Sequence, residues 1–250
     1  MQKKLPFVII KFKIRIVIFI LLAFQSCHSP DTEPVNPYDY FPLEVGSFQV
    51  YSVTEEVYSA GQKAPTVKMW YEKNEIIRMN KDSDVGSTFT VSHSVRNNPS
   101  DYWQKIKEYS VQSSPDKIIQ NQDNEIFTSL VFPYSPTVQW DGYQYFNMDK
   151  NDPRKGYLFH YEDLNQPVTI DSIKFDRTLK VSERSDTTFK SDSSSREFYR
   201  LGFKQYAIGV GMIADVQADF EYLQENGEFI GYRIIGSGTR RIKKIIAFGR

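Results

Sequence analysis

The segment FQVYSVTEEVY, residues 48–58, is dense in β-branched and aromatic side chains that largely alternate with polar ones. Successive side chains of a β-strand point to opposite faces, so this alternation predicts a strand with one buried face. The alternation changes phase near Glu55-Glu56, which predicts a β-bulge or a bend there. Turn residues at Gly61–Pro65 and a second such segment at Thr66–Glu72 follow, and together they predict a β-hairpin.

Segments of the same kind continue along the chain, separated by Gly, Pro, Asn and Asp. The further predicted strands are Ile76–Met79, Thr88–Arg96, Tyr102–Val111, Lys117–Gln120, Ile126–Phe132, Tyr157–Tyr161, Val168–Phe175, Thr178–Ser182, Met212–Leu223, Phe229–Ile235 and Arg240–Phe248. The pattern predicts a mainly β protein, with antiparallel sheets that form a sandwich or a curved barrel-like half-shell and with few short helices. Glu197–Tyr206 fits either a short helix or a strand, and the polar segment Ser185–Arg196 predicts a loop.

The N-terminus has the pattern of a secretion signal. Five basic residues and no acidic ones lie in residues 1–26, and an uninterrupted apolar run covers Ile16–Phe24. This run is shorter than the roughly 20 residues that a membrane-spanning helix needs. Residues 1–26 are therefore predicted to be a signal peptide, and the alternative is a buried core helix.

Cys27 is the only cysteine of the chain and directly follows this signal. The residues before it resemble the lipobox of bacterial lipoproteins, in which a small residue such as Ser26 precedes a cysteine that receives a lipid. Phe24 and Gln25 depart from that pattern, so ordinary signal-peptidase cleavage nearby is an alternative. We predict a lipidated Cys27 at the start of a Pro-rich tether, residues 27–39, and a single β-rich domain, residues 40–250.

Charge and cysteine content argue against a nucleic-acid-binding protein and against a disulfide-stabilised one. Loss of the signal leaves 26 basic and 31 acidic residues, a net charge of −5, which does not favour a nucleic-acid partner. With its one cysteine carrying lipid, the mature domain has no disulfide and depends on buried side chains for stability. Aromatic residues supply 15% of the chain, which fits a β-rich core.

Three blocks resemble a group of uncharacterised lipoproteins from Bacteroidetes-type bacteria. These blocks are the opening Tyr40–Tyr51, the middle pair Leu130–Pro133 and Gln139–Gly142, and the late block Tyr206–Ile213. The resemblance implies a lipoprotein of the cell envelope, at the outer membrane, with a β-rich body. It implies no activity.

The sequence shows no catalytic or metal-binding constellation. Of its three histidines, His28 lies in the tether, and His93 and His160 have no second His or Cys at ligand spacing. Gly209-Val210-Gly211 lacks the Lys and Ser/Thr of a phosphate-binding loop. We therefore predict no metal, no cofactor, no catalytic residue and no enzymatic activity, although the many acidic residues leave a carboxylate-dependent hydrolase as an alternative.

The three tryptophans, Trp70, Trp103 and Trp140, are the candidate ligand-binding residues. Aromatic faces stack on sugars and contact apolar ligands, but the same side chains also form cores. The sequence thus predicts a lipid-anchored envelope protein with a non-catalytic binding or structural role. Its predicted partners are the membrane, through the lipid, and a glycan, an apolar ligand or another envelope protein.

Overall fold

The computed structural model describes residues 36, 38–60, 62, 64–82, 86–150, 152, 154–188, 198–225, 228–229 and 235–250. Cys27, the signal peptide and most of the predicted tether lie outside the described residues. Residues Pro37–Arg250 group into one compact unit. All regular structure in the described residues is strand, so the few short helices that the sequence allowed are not found there.

The described residues form fourteen strands. They are β1 Phe48–Tyr58, β2 Thr66–Asp82, β3 Gly86–Arg96, β4 Gln104–Ser114, β5 Lys117–Gln122, β6 Glu125–Val131, β7 Gln139–Trp140, β8 Phe159–Ile170, β9 Ile173–Thr188, β10 Phe198–Ala207, β11 Gly211–Tyr222, β12 Gln224–Glu225, β13 Glu228–Phe229 and β14 Ile235–Gly249. None of the described residues belongs to a helix that is long and apolar enough to cross a membrane.

Twelve strands pair antiparallel in one sheet, in the order β6-β5-β4-β3-β2-β1-β14-β11-β10-β9-β8-β7. Apart from β12 and β13, which lie outside this sheet, neighbouring strands in the sheet are also consecutive along the chain. The exception is β14, which returns to pair with β1. The short strands β12 and β13, which follow β11 and precede β14 along the chain, pair only with each other. The mainly β prediction is confirmed, and of the two predicted architectures the barrel-like one is observed.

Backbone and side-chain hydrogen bonds close the gap between the two edge strands, β6 and β7. The Thr128 amide donates to the Gly142 carbonyl at 3.0 Å, and the Trp140 indole donates to the Thr128 carbonyl at 2.9 Å. The Tyr161 hydroxyl donates to the Val131 carbonyl at 2.7 Å and accepts from the Val131 amide at 2.8 Å. These bonds satisfy backbone groups that a sheet edge would leave unpaired, so the sheet is a nearly closed barrel.

The sheet curves because its strands carry several bulges, which increase the local twist. In β1 the irregularity against β14 lies between Val50 and Tyr51, whereas Glu55 and Glu56 keep regular partners. The bulge predicted at Glu55-Glu56 was therefore wrong in its position. These two glutamates interrupt the alternation because both are only partly buried, near the far end of the strand.

Three strand predictions need correction. Thr66–Glu72 and Ile76–Met79 belong to one strand, β2, which continues through a bulge near Ile76. Val168–Phe175 was predicted as one strand, but a turn at Asp171 separates β8 from β9. Asp171 takes a positive φ of 52°, which Asp tolerates better than most residues, and the apolar residues on both sides hide this turn.

The undecided segment Glu197–Tyr206 is a strand where it is described, as part of β10. The predicted loop Ser185–Arg196 begins as strand, because β9 runs to Thr188, and residues 189–197 lie outside the described residues.

The segment before β1 closes one end of the barrel. Tyr40 is almost fully buried, and its hydroxyl donates to Asn165 Oδ1 at 2.8 Å. The Asp39 carbonyl accepts from the amide of Gly209, in the turn between β10 and β11, at 2.8 Å. Gly209 has a φ of 72°, which glycine adopts without strain. We call this end, where β1 starts, the closed end.

Candidate functional site

A cavity of about 420 Å³ lies inside the barrel. Eleven of the twelve sheet strands contribute to its lining, all except β7, together with the segment before β1 and the loop after β7. This volume falls in the range of pockets that hold small organic ligands. The interior of the barrel is therefore the candidate functional site.

The cavity changes character along its length. At the closed end most of its lining is apolar, and we call these apolar residues the apolar floor: Phe41, Ile76, Val91, Val111 and Met212. The one amide among them, Gln49 of β1, already donates to the Val210 carbonyl at 3.0 Å. On β2, β3, β4 and β11 the lining residue nearer the closed end is apolar, and those further along are polar or charged. On β2, for example, Ile76 lies nearer the closed end than Asn74 and Glu72. On β11, Met212 lies nearer the closed end than Asp215.

Five charged side chains of alternating sign cross one wall of the cavity. This charged belt consists of Glu183 on β9, Lys204 on β10, Asp215 on β11, Lys243 on β14 and Glu72 on β2. The strand register places Lys204 opposite Asp215 and Asp215 opposite Lys243. Opposite charges at directly facing positions of neighbouring strands attract each other, so the belt is consistent with the pairing of the sheet.

Lys204 lies at the centre of three polar side chains. It pairs with Glu183, and Gln217 Nε2 donates to Glu183 at 2.8 Å and to Asp215 at 3.0 Å. Burial alone would lower the pKa of Lys204, but the charges of Glu183 and Asp215 hold this pKa well above its ordinary value. Lys204 is therefore a permanent cation and not a nucleophilic amine.

Two acidic members of the belt, Asp215 and Glu72, are held ionised. Burial alone would raise the pKa of Asp215, but Lys204, Lys243 and Arg241 lower it below its ordinary value. The pKa of Glu72 is lowered in the same way, because Lys243 outweighs the effect of burial. The charged wall is electrically balanced, since Arg241 adds a third cation 3.6 Å from Asp215 and three carboxylates face three cations.

The wall that faces the belt is aromatic and amide-rich. Tyr109, Phe127, Gln120 and Gln122 line the cavity from β4, β5 and β6. Gln122 donates to Gln120 at 3.1 Å, whereas the Tyr109 hydroxyl makes no hydrogen bond with a residue that the structure describes. Burial raises the pKa of Tyr109, so this hydroxyl is neutral and free to donate or accept at the cavity surface.

His93 lines the cavity next to the belt, with its Nδ1 2.8 Å from Asn74 Oδ1. Burial lowers the pKa of His93 below its ordinary value of 6.5. Glu72 opposes this shift, while Lys243 and Lys107 add to it. At neutral pH the imidazole is therefore uncharged and carries one donor and one acceptor nitrogen.

We expect His93 to make folding pH-dependent below its ordinary pKa of 6.5. The unfolded chain takes up a proton there that the folded chain does not, so the free energy of unfolding falls as the pH drops from about 7 to about 5. Urea unfolding should show this fall in the wild type and a smaller one in His93→Gln. His160→Gln is the matched control, since His160 lies outside the cavity lining and contacts Glu162. Equal falls in the wild type and His93→Gln would contradict the assignment.

None of the three predicted tryptophans lines the cavity. Trp140 is buried at the seam of the barrel, where its ring lies 4.8 Å from that of Tyr161. Trp70 donates to Glu72 Oε1 at 2.9 Å and so orients a belt residue from outside the lining. Trp103 lies beyond β3, with the Arg96 guanidinium 4.3 Å from its ring centroid. Ligand binding by these residues stays a prediction.

Sequence reasoning did not single out any belt residue. One signal was present: Lys204 and Lys243 each lie two positions before a fully buried aromatic or apolar residue, namely Tyr206 and Ile245. Residues two positions apart in a strand share a face, so a charge at such a position points inward. Inward charges in several strands indicate a polar interior.

The structure also brings together two carboxylates that the sequence did not pair. Glu183 and Asp215 both accept from the one nitrogen of Gln217. Many glycosidases use two carboxyl groups on either side of the bond that they cleave, and one of the two must carry a proton. The described residues hold no cluster of three or more His, Cys, Asp and Glu that fits a metal ion.

Two comparisons with known proteins gave no relative. No family model matches the chain, and no curated protein shows significant similarity to it. The resemblance to lipoproteins of Bacteroidetes-type bacteria therefore stays a prediction.

Proposed function

We propose that this protein is a lipid-anchored, non-catalytic binding protein of the cell envelope, at the outer membrane, that holds a small ligand inside its barrel. The observation that carries the proposal is the cavity of about 420 Å³ with its balanced charged belt. A barrel that served only as a scaffold would gain more from filling this space with apolar side chains, since empty volume in a core is destabilising. Buried charge pairs also contribute little net stability, which supports a role in ligand binding.

The anchoring part of the proposal rests on Cys27 and the signal that precedes it. We expect Cys27→Ala to abolish the mass increase of a lipidated N-terminus and to move the protein from the membrane fraction to the soluble fraction or leave it unprocessed. Mass spectrometry and fractionation of the cells measure both effects. Ser26→Gly is the matched control, because a small residue remains before Cys27. Wild-type protein that is cleaved and unmodified would overturn the anchor.

The binding part is tested by the molecules that the protein retains. The full chain, purified from its own membranes in a polyoxyethylene detergent, is precipitated with organic solvent, and the released compounds are measured by mass spectrometry. We expect one compound, or one series of related compounds, near one molecule per chain. Release of no compound beyond that from a mock purification would contradict the proposal.

The paired carboxylates Glu183 and Asp215 favour a second candidate, a carboxylate-dependent hydrolase. The lowered pKa of Asp215 disfavours it, because that group then has no proton to donate. The charge of Lys204 contributes to this lowering of the Asp215 pKa. Turnover of the retained compound by the wild type and its loss in Glu183→Gln would replace the binding role by this one.

A further inference from the structure

We infer that the ligand is amphipathic: an apolar group joined to an uncharged, hydroxyl-bearing head, as in an aryl or short-alkyl glycoside. This inference rests on the proposed binding function and adds the class of ligand and its orientation. The apolar group lies on the apolar floor at the closed end. The head lies between the charged belt and Tyr109.

The polarity of the lining supports an amphipathic ligand over a purely apolar one. A fatty chain that filled the whole cavity would remove water from the belt without replacing its hydrogen bonds, and such desolvation of charged groups is unfavourable. A free sugar would leave Val91, Val111 and Met212 in contact with water. Only a molecule with two different ends matches both halves of the cavity.

The balance of charge supports an uncharged head. Lys204 already pairs with Glu183, and Lys243 already pairs with Glu72. Lys107, the cation that lines the facing wall, pairs with Asp123 outside the lining. A strongly anionic or cationic head would have to separate such a pair, and no surplus charge on this wall rewards that step. Hydroxyl groups both donate and accept, so they can bind the remaining lone pairs and N–H groups of the belt without breaking it.

The facing wall supports a head rich in hydroxyl groups. The Tyr109 hydroxyl and the Gln120 and Gln122 side chains present donors and acceptors, and Phe127 presents an aromatic surface. Sugars have both polar hydroxyl groups and apolar C–H faces, so they suit a wall that mixes amides with aromatic rings. The neutral His93 next to Asn74 adds a further donor and acceptor.

Binding of defined probes tests the inference. The full chain, held in an amphipathic polymer, is titrated with phenyl β-glycosides of glucose, galactose, mannose and N-acetylglucosamine. The corresponding methyl glycosides keep the head and lack the apolar group, and benzoate keeps the ring with a charged end. We expect at least one phenyl glycoside to bind about tenfold or more tightly than its methyl glycoside and than benzoate.

The variant Tyr109→Phe tests the position of the head. It removes one free hydroxyl and keeps the ring, so we expect the best phenyl glycoside to bind about tenfold more weakly while the protein stays folded. Tyr102→Phe is the matched control, because Tyr102 is 94% exposed, outside the barrel. Failure of all phenyl glycosides to bind would overturn the inference, as would equal binding of the methyl glycosides or unchanged affinity in Tyr109→Phe.

A failure of the amphipathic-ligand inference can be distinguished from a failure of the proposed binding function. A plain fatty acid or a free sugar released near one molecule per chain would overturn the amphipathic ligand and leave the binding role intact. Release of no compound would contradict the binding role itself.

Discussion

Lys204→Ala should lower the free energy of unfolding by about 3–5 kcal/mol. Lys204 lies opposite Asp215 in the register and forms an ion pair with Glu183, which is 4% exposed. Without the ammonium group, Glu183 stays buried with only Gln217 as a hydrogen-bonding partner. Leaving a buried charge uncompensated is far more costly than the net gain from the intact pair.

Urea unfolding at neutral pH measures this loss, followed by tryptophan fluorescence. The matched control is Lys174→Ala, which breaks an exposed pair with Asp176 and should change the free energy of unfolding very little, because solvent screens such a pair. Adding Glu183→Gln to Lys204→Ala should restore part of the stability, because the uncompensated carboxylate is then removed. Equal losses in Lys204→Ala and Lys174→Ala would show that the belt is not a buried network.

Val91→Trp should reduce the amount of retained ligand at least about tenfold and leave the protein folded. Val91 lies on the apolar floor with 3% of its surface exposed, and its strand partner on β4 is Tyr109. An indole at this position extends into the cavity and occupies the space that we assign to the apolar group of the ligand. Added volume is tolerated where a cavity exists, whereas in a filled core it costs about 1–3 kcal/mol.

Mass spectrometry of the compounds released per chain measures this effect, and near-ultraviolet circular dichroism checks the fold. Val67→Trp is the matched control, since Val67 is 54% exposed on β2 and does not line the cavity. Val111→Phe, also on the apolar floor, serves as a second variant if Val91→Trp does not fold. A folded Val91→Trp protein that retains as much ligand as Val67→Trp would place the ligand elsewhere.

The strands were largely predictable because their signal is local. Alternation along Thr88–Arg96 and Ile126–Phe132 depends on neighbouring residues only, and both segments are strands in the structure. The closure of the barrel was not predictable in the same way. It depends on β14 pairing with β1 across almost the whole chain, and on single bonds such as that from Trp140 to Thr128.

The candidate site was hidden for a related reason. Glu72 and Lys243 form an ion pair but lie far apart in the sequence, on strands that are not hydrogen-bonded to each other. No spacing pattern links such residues, and only the register of the sheet brings them together. The sequence of a single strand can reveal one inward charge, as at Lys243 two positions before Ile245. Recognising the belt also requires the order of the strands in the sheet.

The tryptophans were singled out from the sequence, but they do not line the cavity. Their size drew attention to binding, yet Trp140 is 8% exposed and its indole bonds to the backbone of β6. Large aromatic side chains bury much apolar area, so they are as useful at a seam as in a site. The more informative residues were charged ones in the inward phase of a strand, because a charge is buried only where it is paired or used.

The most direct test of the account is an electron-density map of crystals of the full chain, purified from its own membranes without exchange of its ligand. The account predicts continuous density for one compact molecule inside the barrel, with its apolar end on Val91 and Val111 and its other end beside Tyr109 and the charged belt. An interior that contains only ordered water, or that collapses so that the side chains fill it, would contradict the central claim.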